Sequence, residues 1–128
     1  MEKIKLLDLK YEVTPCYDED NNPLPIIKDY FWKEPIEFYD KNGLVQKRWA
    51  SINEYYNRSL TAVGGYEYRF DNCLPIGDTY SFEDAVRKLE DYINSKRDEN
   101  YRKERLAKMI ELKRKELENY EKTLNSLA

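Results

Sequence analysis

The stretch that decides the fold lies at the C-terminal end of the chain, where residues 78–128 read DTYSFEDAVRKLEDYINSKRDENYRKERLAKMIELKRKELENYEKTLNSLA. It contains neither glycine nor proline, the two residues least compatible with a helix interior. Acid-to-base pairs at i,i+4, each worth roughly 0.2–0.5 kcal/mol to a surface helix, recur along it. They are Glu83–Arg87, Asp84–Lys88, Asp98–Arg102, Glu99–Lys103, Glu104–Lys108, Glu111–Lys115 and Glu118–Lys122. The stretch therefore predicts helix.

The start of this helix is marked by Ser81-Phe-Glu-Asp84, which resembles a capping box. A serine at the first position accepts a hydrogen bond from the third following amide, and the acids suit the positive helix end. Apolar residues then recur at helical spacing, so we expect this part to cover one face of a sheet. They are Phe82, Val86, Leu89 and Ile93.

The second half of the stretch carries apolar residues at alternating spacings of four and three. They are Leu106, Ile110, Leu117, Tyr120, Leu124 and Leu127, with Lys113 taking one place in the series. This heptad pattern is typical of a helix that pairs with another helix. It predicts self-association, most simply as a homodimer, and Lys113 should restrict the pair to a loose or antiparallel one.

A polar run from Asn94 to Asn100 separates the two apolar stripes. Counting back in sevens from Leu106 reaches Glu99, Tyr92 and Ala85, so the heptad phase survives the interruption. We therefore favour one continuous helix that forms a coiled-coil-like extension. A helical hairpin turning within the polar run is the alternative.

The N-terminal part contains patterns typical of strands and turns. Leu7 to Val13 alternates apolar and polar residues and should form a half-buried strand that ends at Pro15. Asn42-Gly43 between two alternating runs predicts a β-hairpin, since both residues tolerate positive φ. Tyr66, Tyr68 and Phe70 alternate with charged residues in a further strand.

Three other segments are predicted from local signals. Ser51-Ile-Asn-Glu54 has the capping-box pattern, so a short helix should run from there to about Leu60. Residues 24–34 have no clear period and should be irregular. Residues 71–79, with Pro75 and Gly77, should form a loop.

These elements predict an α+β fold with a small antiparallel sheet, a short helix and a long C-terminal helix. We expect two parts, a small β-rich domain at 1–80 and a long helix at 81–128 that packs on the sheet and projects from it.

The composition excludes several types of catalytic and metal-binding site. The chain has 128 residues, a net charge of −3 and no histidine, which removes Ser-His-Asp catalysis, Cys-His catalysis and histidine-containing metal sites. Cys16 and Cys73 are too few for a zinc site or a disulfide scaffold. We therefore expect no enzyme activity, no cofactor and no metal. Without an apolar span or a signal-like N-terminus, no membrane role and a cytoplasmic location are expected.

The aromatic residues predict a protein-binding surface. Twelve tyrosines exceed what a small sheet can bury, and Tyr and Trp are enriched at interface hot spots. Consecutive rings at Tyr30, Phe31 and Trp32 cannot share one face of a strand, so at least one should be exposed. The alternative is that the rings form the core. The predicted partner-binding residues are Tyr30, Phe31, Trp32, Tyr39, Tyr55 and Tyr56.

Nucleic-acid binding is the alternative function. The run from Lys96 to Lys115 is basic, and an aromatic strand could stack bases. The residues for this alternative are Tyr66, Tyr68, Arg102, Lys113, Arg114 and Lys115. We rank it second, because interleaved glutamates repel phosphate and the chain as a whole is acidic.

Together these observations predict a non-catalytic protein-binding module that docks on a larger protein. The abundance of Lys, Asn, Ile and Tyr, whose codons are AT-rich, suggests a phage or mobile-element gene. In that setting, an inhibitor of a host defence nuclease, similar in role to anti-CRISPR proteins and acting in the bacterial cytoplasm, would suit this composition.

Overall fold

The structure, a computed structural model, describes residues 1–56, 63–70 and 74–127, and the side chains of these except at residues 14, 16 and 24–27. The chain folds as an α+β protein with an antiparallel sheet, a short helix and a long C-terminal helix, which confirms the predicted class. Its elements are β1 (Lys10–Tyr17), β2 (Pro23–Phe31), β3 (Ile36–Tyr39), β4 (Val45–Arg48), β5 (Ser51–Tyr56), β6 (Val63–Arg69), β7 (Gly77–Thr79), α1 (Phe82–Lys96) and α2 (Glu99–Ser126).

Five of the strands form one antiparallel sheet in the order β1-β2-β5-β6-β7, and β3 pairs with β4 in a separate hairpin. Side chains alternate between the two faces of a strand, so the register decides which residues share a face. Tyr11, Tyr30, Ile52 and Tyr68 are register partners across the first four strands. They lie on the face that meets α1.

The core lies between that face and α1. Ala85, Leu89 and Ile93 of α1 are fully buried, and so is Ile52 of β5. Leu6, Ile36, Ala50 and Phe70 complete the buried cluster. The predicted helix start is confirmed, because Ser81 Oγ accepts a hydrogen bond from the Asp84 amide at 3.1 Å. The apolar stripe of α1 therefore fixes the helix on the sheet.

The β3–β4 turn forms where Asn42-Gly43 predicts it. Gly43 has φ +80°, and its amide donates to the Asp40 carbonyl. The Asp40 carboxylate accepts from the amides of Asn42 and Leu44 at 2.8 and 3.0 Å. Burial opposes ionisation of this carboxyl, but these amides and the Gln46 side chain hold its pKa below the usual value.

The predicted helix at Ser51–Leu60 is wrong for the described part, because Ser51–Tyr56 is strand β5. Its alternation places Ile52 and Glu54 in the interior, and strand pairing on both sides outweighs the local capping signal. Residues 57–60 lie outside the described residues.

Other N-terminal predictions also need correction. The segment 24–34 is largely strand β2, and β1 begins at Lys10 rather than Leu7. Pro15 lies within β1 instead of ending it, which is possible because β1 is an edge strand with one unpaired side. The predicted loop at 71–79 contains the short strand β7, and residues 71–73 lie outside the described residues.

The C-terminal stretch is two helices rather than one. Arg97 ends α1, and Asp98 has extended backbone angles, φ −76° and ψ 132°. The Arg97 guanidinium donates to the carbonyls of Glu2 and Glu37, so tertiary contacts hold the break in place. The hairpin alternative does not hold either. Beyond Met109 every described side chain of α2 is exposed, whereas a hairpin would bury the apolar stripe. The division at residue 80 stays a prediction.

Replacing Gly43 by alanine should destabilise the fold by roughly 1–3 kcal/mol, because φ is positive there and the site is crowded. An added Cβ would lie 2.7 Å from Leu106 Cγ on α2. Urea unfolding followed by circular dichroism measures the change. Lys41→Ala, at the exposed neighbouring position of the same turn, is the control. Equal stability of Gly43→Ala and wild type would contradict the described packing of the turn on α2.

Candidate functional site

The face of the five-stranded sheet that points away from α1, called the open face below, carries an acidic row. Glu12, Asp29, Asn53, Glu67 and Asp78 are consecutive register partners from β1 to β7. Neighbouring strands lie about 4.8 Å apart, so the row extends over roughly 19 Å. In the described part of the chain, no helix or strand is seen to pack on this face.

The electrostatics of the open face leave negative charge unpaired. Arg69 forms an ion pair with Glu67 at 3.0 Å, and the Tyr55 hydroxyl donates to Asp78 at 3.0 Å. Burial, followed by this carboxylate, raises the pKa of Tyr55, so the tyrosine stays a neutral donor. Asp29 Oδ1 is shielded from solvent and has no hydrogen-bond partner in the described structure. Such an atom costs free energy unless a further group reaches it.

Two aromatic residues lie beside the acidic row. Phe31 follows Asp29 on β2 and is the register partner of Ser51. Tyr55 follows Asn53 on the antiparallel strand β5, so the two rings lie on opposite sides of the row. Both side chains are half-buried. Carboxylates flanked by rings can accept lysine and arginine side chains through charge-assisted hydrogen bonds and cation–π contacts. The open face can therefore receive a basic surface.

A second surface, called the apolar stripe, runs along α2. It consists of Leu106, Ile110, Leu117, Tyr120, Leu124 and Leu127, the residues predicted for self-association. Leu117 is 57% exposed, and all the others except the half-buried Leu106 are also exposed. Near Leu106 the stripe meets Leu44 of the β3–β4 hairpin and Met109 in a groove of about 480 Å³.

The side of α2 opposite the apolar stripe carries charged residues at regular intervals. Glutamates recur every seven residues at positions 104, 111 and 118, and lysines follow them at positions 108, 115 and 122. Glu104 contacts Lys108 at 3.0 Å, which lowers the pKa of the glutamate carboxyl. This pattern keeps the charges on the side of α2 opposite the apolar stripe.

The structure separates the six residues predicted to bind a partner. Phe31 and Tyr55 lie on the open face, and Tyr56 is half-buried at the end of β5. Tyr30 contacts Phe82 of α1 at 4.5 Å between ring centroids, and Trp32 packs against the core cluster. In the described structure both rings pack against the interior of the protein. A partner-binding role for them stays a prediction.

Tyr39, which was predicted to bind a partner, is buried in the described structure. Its side chain is only 3% exposed, and its hydroxyl donates to Glu99 at the start of α2. The Arg102 guanidinium lies over the ring at 4.8 Å. Hydrogen bonding to Glu99 and burial raise the pKa of Tyr39, and the same bond holds the pKa of Glu99 low. Tyr39 therefore anchors α2 to the hairpin.

The residues of the nucleic-acid alternative are not brought together. Tyr66 and Tyr68 face α1, on the opposite side of the sheet from the acidic row. Arg102 donates to the Gly43 carbonyl, and Lys113 pairs with Glu116 at 3.4 Å. Arg114 and Lys115 are exposed on α2. These residues therefore do not form an aromatic surface for base stacking next to a basic segment for phosphate binding.

Sequence reasoning missed two features of the described surface. The acidic row joins residues from five strands, and only the strand register reveals it. Tyr80 and Trp49 are 94% and 44% exposed, although neither was predicted as a contact residue. Trp49 adjoins Arg48 at the end of β4, and Tyr80 precedes the α1 cap. A position just outside a regular element is the sequence feature that could have indicated that these two side chains are exposed.

Comparison of the chain with protein-family models, curated proteins and solved structures finds no match. Within the described ranges, no helix has both the length and the apolar character to cross a membrane. The same residues include no group of three or more acidic or cysteine side chains placed to hold a metal ion.

Tyr66 should titrate at an unusually high pH. Burial, followed by the hydrogen bond to Glu54 at 3.0 Å, raises the pKa of Tyr66 to about 12 from 10.0. Since the folded-state pKa exceeds the unfolded value, this pair stabilises the fold below pH 10 and loses that effect as the pH approaches about 12. Glu54→Gln should lower the pKa of Tyr66 in an ultraviolet tyrosinate titration.

Glu12→Gln, which removes an exposed carboxylate from the other face of the sheet, is the control for that titration. A titration curve that is the same in wild type and Glu54→Gln would show that the Glu54 contact does not form in solution.

Proposed function

We propose that the chain is a non-catalytic protein-binding module that docks its open face on a basic surface of a larger protein. The observation that carries this proposal is the acidic row across all five strands of the sheet. Flat sheet faces with carboxylates and rings suit protein partners, because such interfaces combine anchoring aromatics with charge complementarity.

The unpartnered oxygen of Asp29 supports a basic partner in particular. Among the described residues Asp29 Oδ1 has no hydrogen-bond partner, and no cation forms an ion pair with the carboxylate. Its negative charge therefore remains available to attract a lysine or arginine of a partner. Asn53, between Asp29 and Glu67, can both donate and accept, so it tolerates either type of neighbouring group.

The narrower form of the proposal is an inhibitor of a nucleic-acid-binding enzyme such as a phage-restricting defence nuclease. A groove that binds a phosphate backbone presents lysines and arginines in a row. The carboxylates of Glu12, Asp29, Glu67 and Asp78 can occupy such a groove in place of phosphates. This form rests on the acidic row together with the AT-rich codon bias, and it predicts competition with nucleic acid.

The apolar stripe on α2 gives the module a second role, pairing two copies. Helices pair through such stripes, and the exposed side chains from Ile110 to Leu127 have no partner among the described residues. Arg114 and Glu121 flank the stripe on one side, and Glu116 flanks it on the other. A parallel pair would set Glu116 against Glu121 of the second copy. An antiparallel pair sets Arg114 against Glu121, so we propose an antiparallel homodimer.

Purified protein should be dimeric at tens of micromolar, because soluble monomers avoid a long exposed apolar stripe. Multi-angle light scattering measures the mass. Leu117→Glu should yield a monomer, since it places a charge in the centre of the stripe. Leu112→Glu is the matched control, because Leu112 is similarly exposed at 48% but lies outside the stripe. A monomeric wild-type protein would remove the dimer from this account.

Reversing charge on the open face should abolish partner binding. In affinity capture from the native host, Glu12→Lys with Asp78→Lys should lose a protein that the wild type retains, because the row no longer attracts a basic surface. The captured protein should carry a nucleic-acid-binding surface, and increasing salt should weaken its retention.

The control for that capture is Glu19→Lys with Asp20→Lys, which makes the same charge change in the exposed β1–β2 turn. Retention of the partner by the open-face variant, together with its loss from the turn variant, would place the binding surface elsewhere and refute the proposal.

A further inference from the structure

A pocket of about 520 Å³ lies where the β3–β4 hairpin faces the junction of α1 and α2. Phe38 and Phe70 form its aromatic floor, with their ring centroids 4.9 Å apart in an edge-to-face arrangement. Tyr92 from the last turns of α1 and Tyr101 from the first turn of α2 form one wall. This pocket lies on the α1 side of the sheet, away from the acidic row.

Basic side chains surround these rings. Lys96 lies between the rings of Tyr92 and Tyr101, at 5.4 and 4.6 Å from their centroids. Arg105 lies 5.4 Å from the centroid of Tyr101, and Arg48 lies 5.9 Å from that of Phe38. Lys41 completes the cationic lining.

None of the described carboxylates forms an ion pair with these cations, although Asp40 lies near Lys41 and Glu104 lies near Arg105. In the part of the chain that the structure describes, no carboxylate lies within ion-pair distance of Lys41, Arg48, Lys96 or Arg105. Asp40 also lines the pocket, but its carboxylate is engaged by two backbone amides and the Gln46 side chain of its own turn. Four cations thus surround one pocket in a chain whose net charge is −3.

We infer that this pocket binds a small anion that carries a planar ring, and that its ligand class is a nucleoside monophosphate. Cations already lie over the rings of Phe38 and Tyr101. The base therefore stacks on the guanidinium planes of Arg48 and Arg105 that these rings hold. The guanidinium groups of Arg48 and Arg105 supply paired donors for phosphate oxygens, and Lys96 adds a compact charge. The pocket volume falls within the range of small-molecule sites.

Both helices and the β3–β4 hairpin contribute side chains to this pocket. Tyr101 enters the pocket because α2 starts in a new direction after Asp98, and a continuous helix would carry Tyr101 elsewhere. Arg105 follows one turn later on the same side of α2. The site therefore depends on the helix break. It is independent of the open face and of the proposed partner.

Isothermal titration calorimetry with AMP tests the inference directly. We expect a dissociation constant between about 10 μM and 1 mM, as for a small ligand with one stacking and a few charged contacts. Adenosine, which lacks the phosphate, and ribose 5-phosphate, which lacks the base, should each bind at least about tenfold more weakly. Failure of AMP to bind at millimolar concentration, or equal binding of AMP and adenosine, would overturn the proposal.

Variants locate the site. Arg105→Gln should weaken AMP binding about tenfold through loss of a charge-assisted contact. Tyr101→Leu should do so because it removes the ring that positions Lys96 and Arg105. Lys115→Gln is the matched control, because Lys115 is exposed on the same helix and does not line the pocket. Circular-dichroism melts show whether each variant is folded. Unchanged affinity in folded Arg105→Gln and Tyr101→Leu would refute this location.

A base with a phosphate could come from a free nucleotide or from the end of a nucleic-acid strand. A short oligonucleotide with a terminal phosphate distinguishes these two sources. Affinity equal to that of AMP identifies a free nucleotide as the ligand, whereas markedly tighter binding that the Tyr101→Leu variant loses identifies the end of a strand. Oligonucleotide binding that is unaffected by Arg105→Gln and Tyr101→Leu, in the absence of AMP binding, would contradict the inference.

Discussion

The structure depends on the burial of one apolar helix stripe against one side of one sheet. Ala85, Leu89 and Ile93 of α1 are fully buried, and Ile52 of β5 is buried in the same cluster. A single helix covers only one face of a five-stranded sheet. The other face is therefore free to carry carboxylates, which would be very costly in a core. Strand alternation places Ile52 on the face that meets α1 and the acidic row on the opposite face.

The break at Arg97–Asp98 separates the part of the C-terminal stretch that belongs to the core from the part that does not. Before the break, α1 is held by burial. After it, α2 is held at its first two turns by contacts of Glu99 and Arg102 with the β3–β4 hairpin, and it has no buried residue. Its stability then rests on i,i+4 charge pairs and on whatever covers the apolar stripe. One chain thus combines an acidic sheet face, a helix with an exposed apolar stripe and a cationic pocket at the break between the two helices.

Sequence reasoning succeeded where a local interaction decides the structure. The turn at Asn42-Gly43 needs only positive φ, and the α1 start needs only the Ser81 hydroxyl. It failed where distant partners decide. The Ser51–Glu54 pattern suits a helix cap equally well, and only pairing with β2 and β6 makes it a strand. Phe31 and Tyr55 were predicted as contact residues without the acidic row between them, because that row exists only in the register of five strands. The helix break is likewise held by Arg97 contacts with residues far away in the sequence.

The central claim, that the open face is the surface that meets a larger protein, is tested most directly by site-specific photo-crosslinking in the native host. A photoreactive amino acid at Asn53 lies in the middle of the acidic row, and one at Lys88 lies on the exposed side of α1. The account predicts a covalent adduct with a larger, basic protein from position 53 and none from position 88. An adduct from position 88 together with none from position 53 would contradict it.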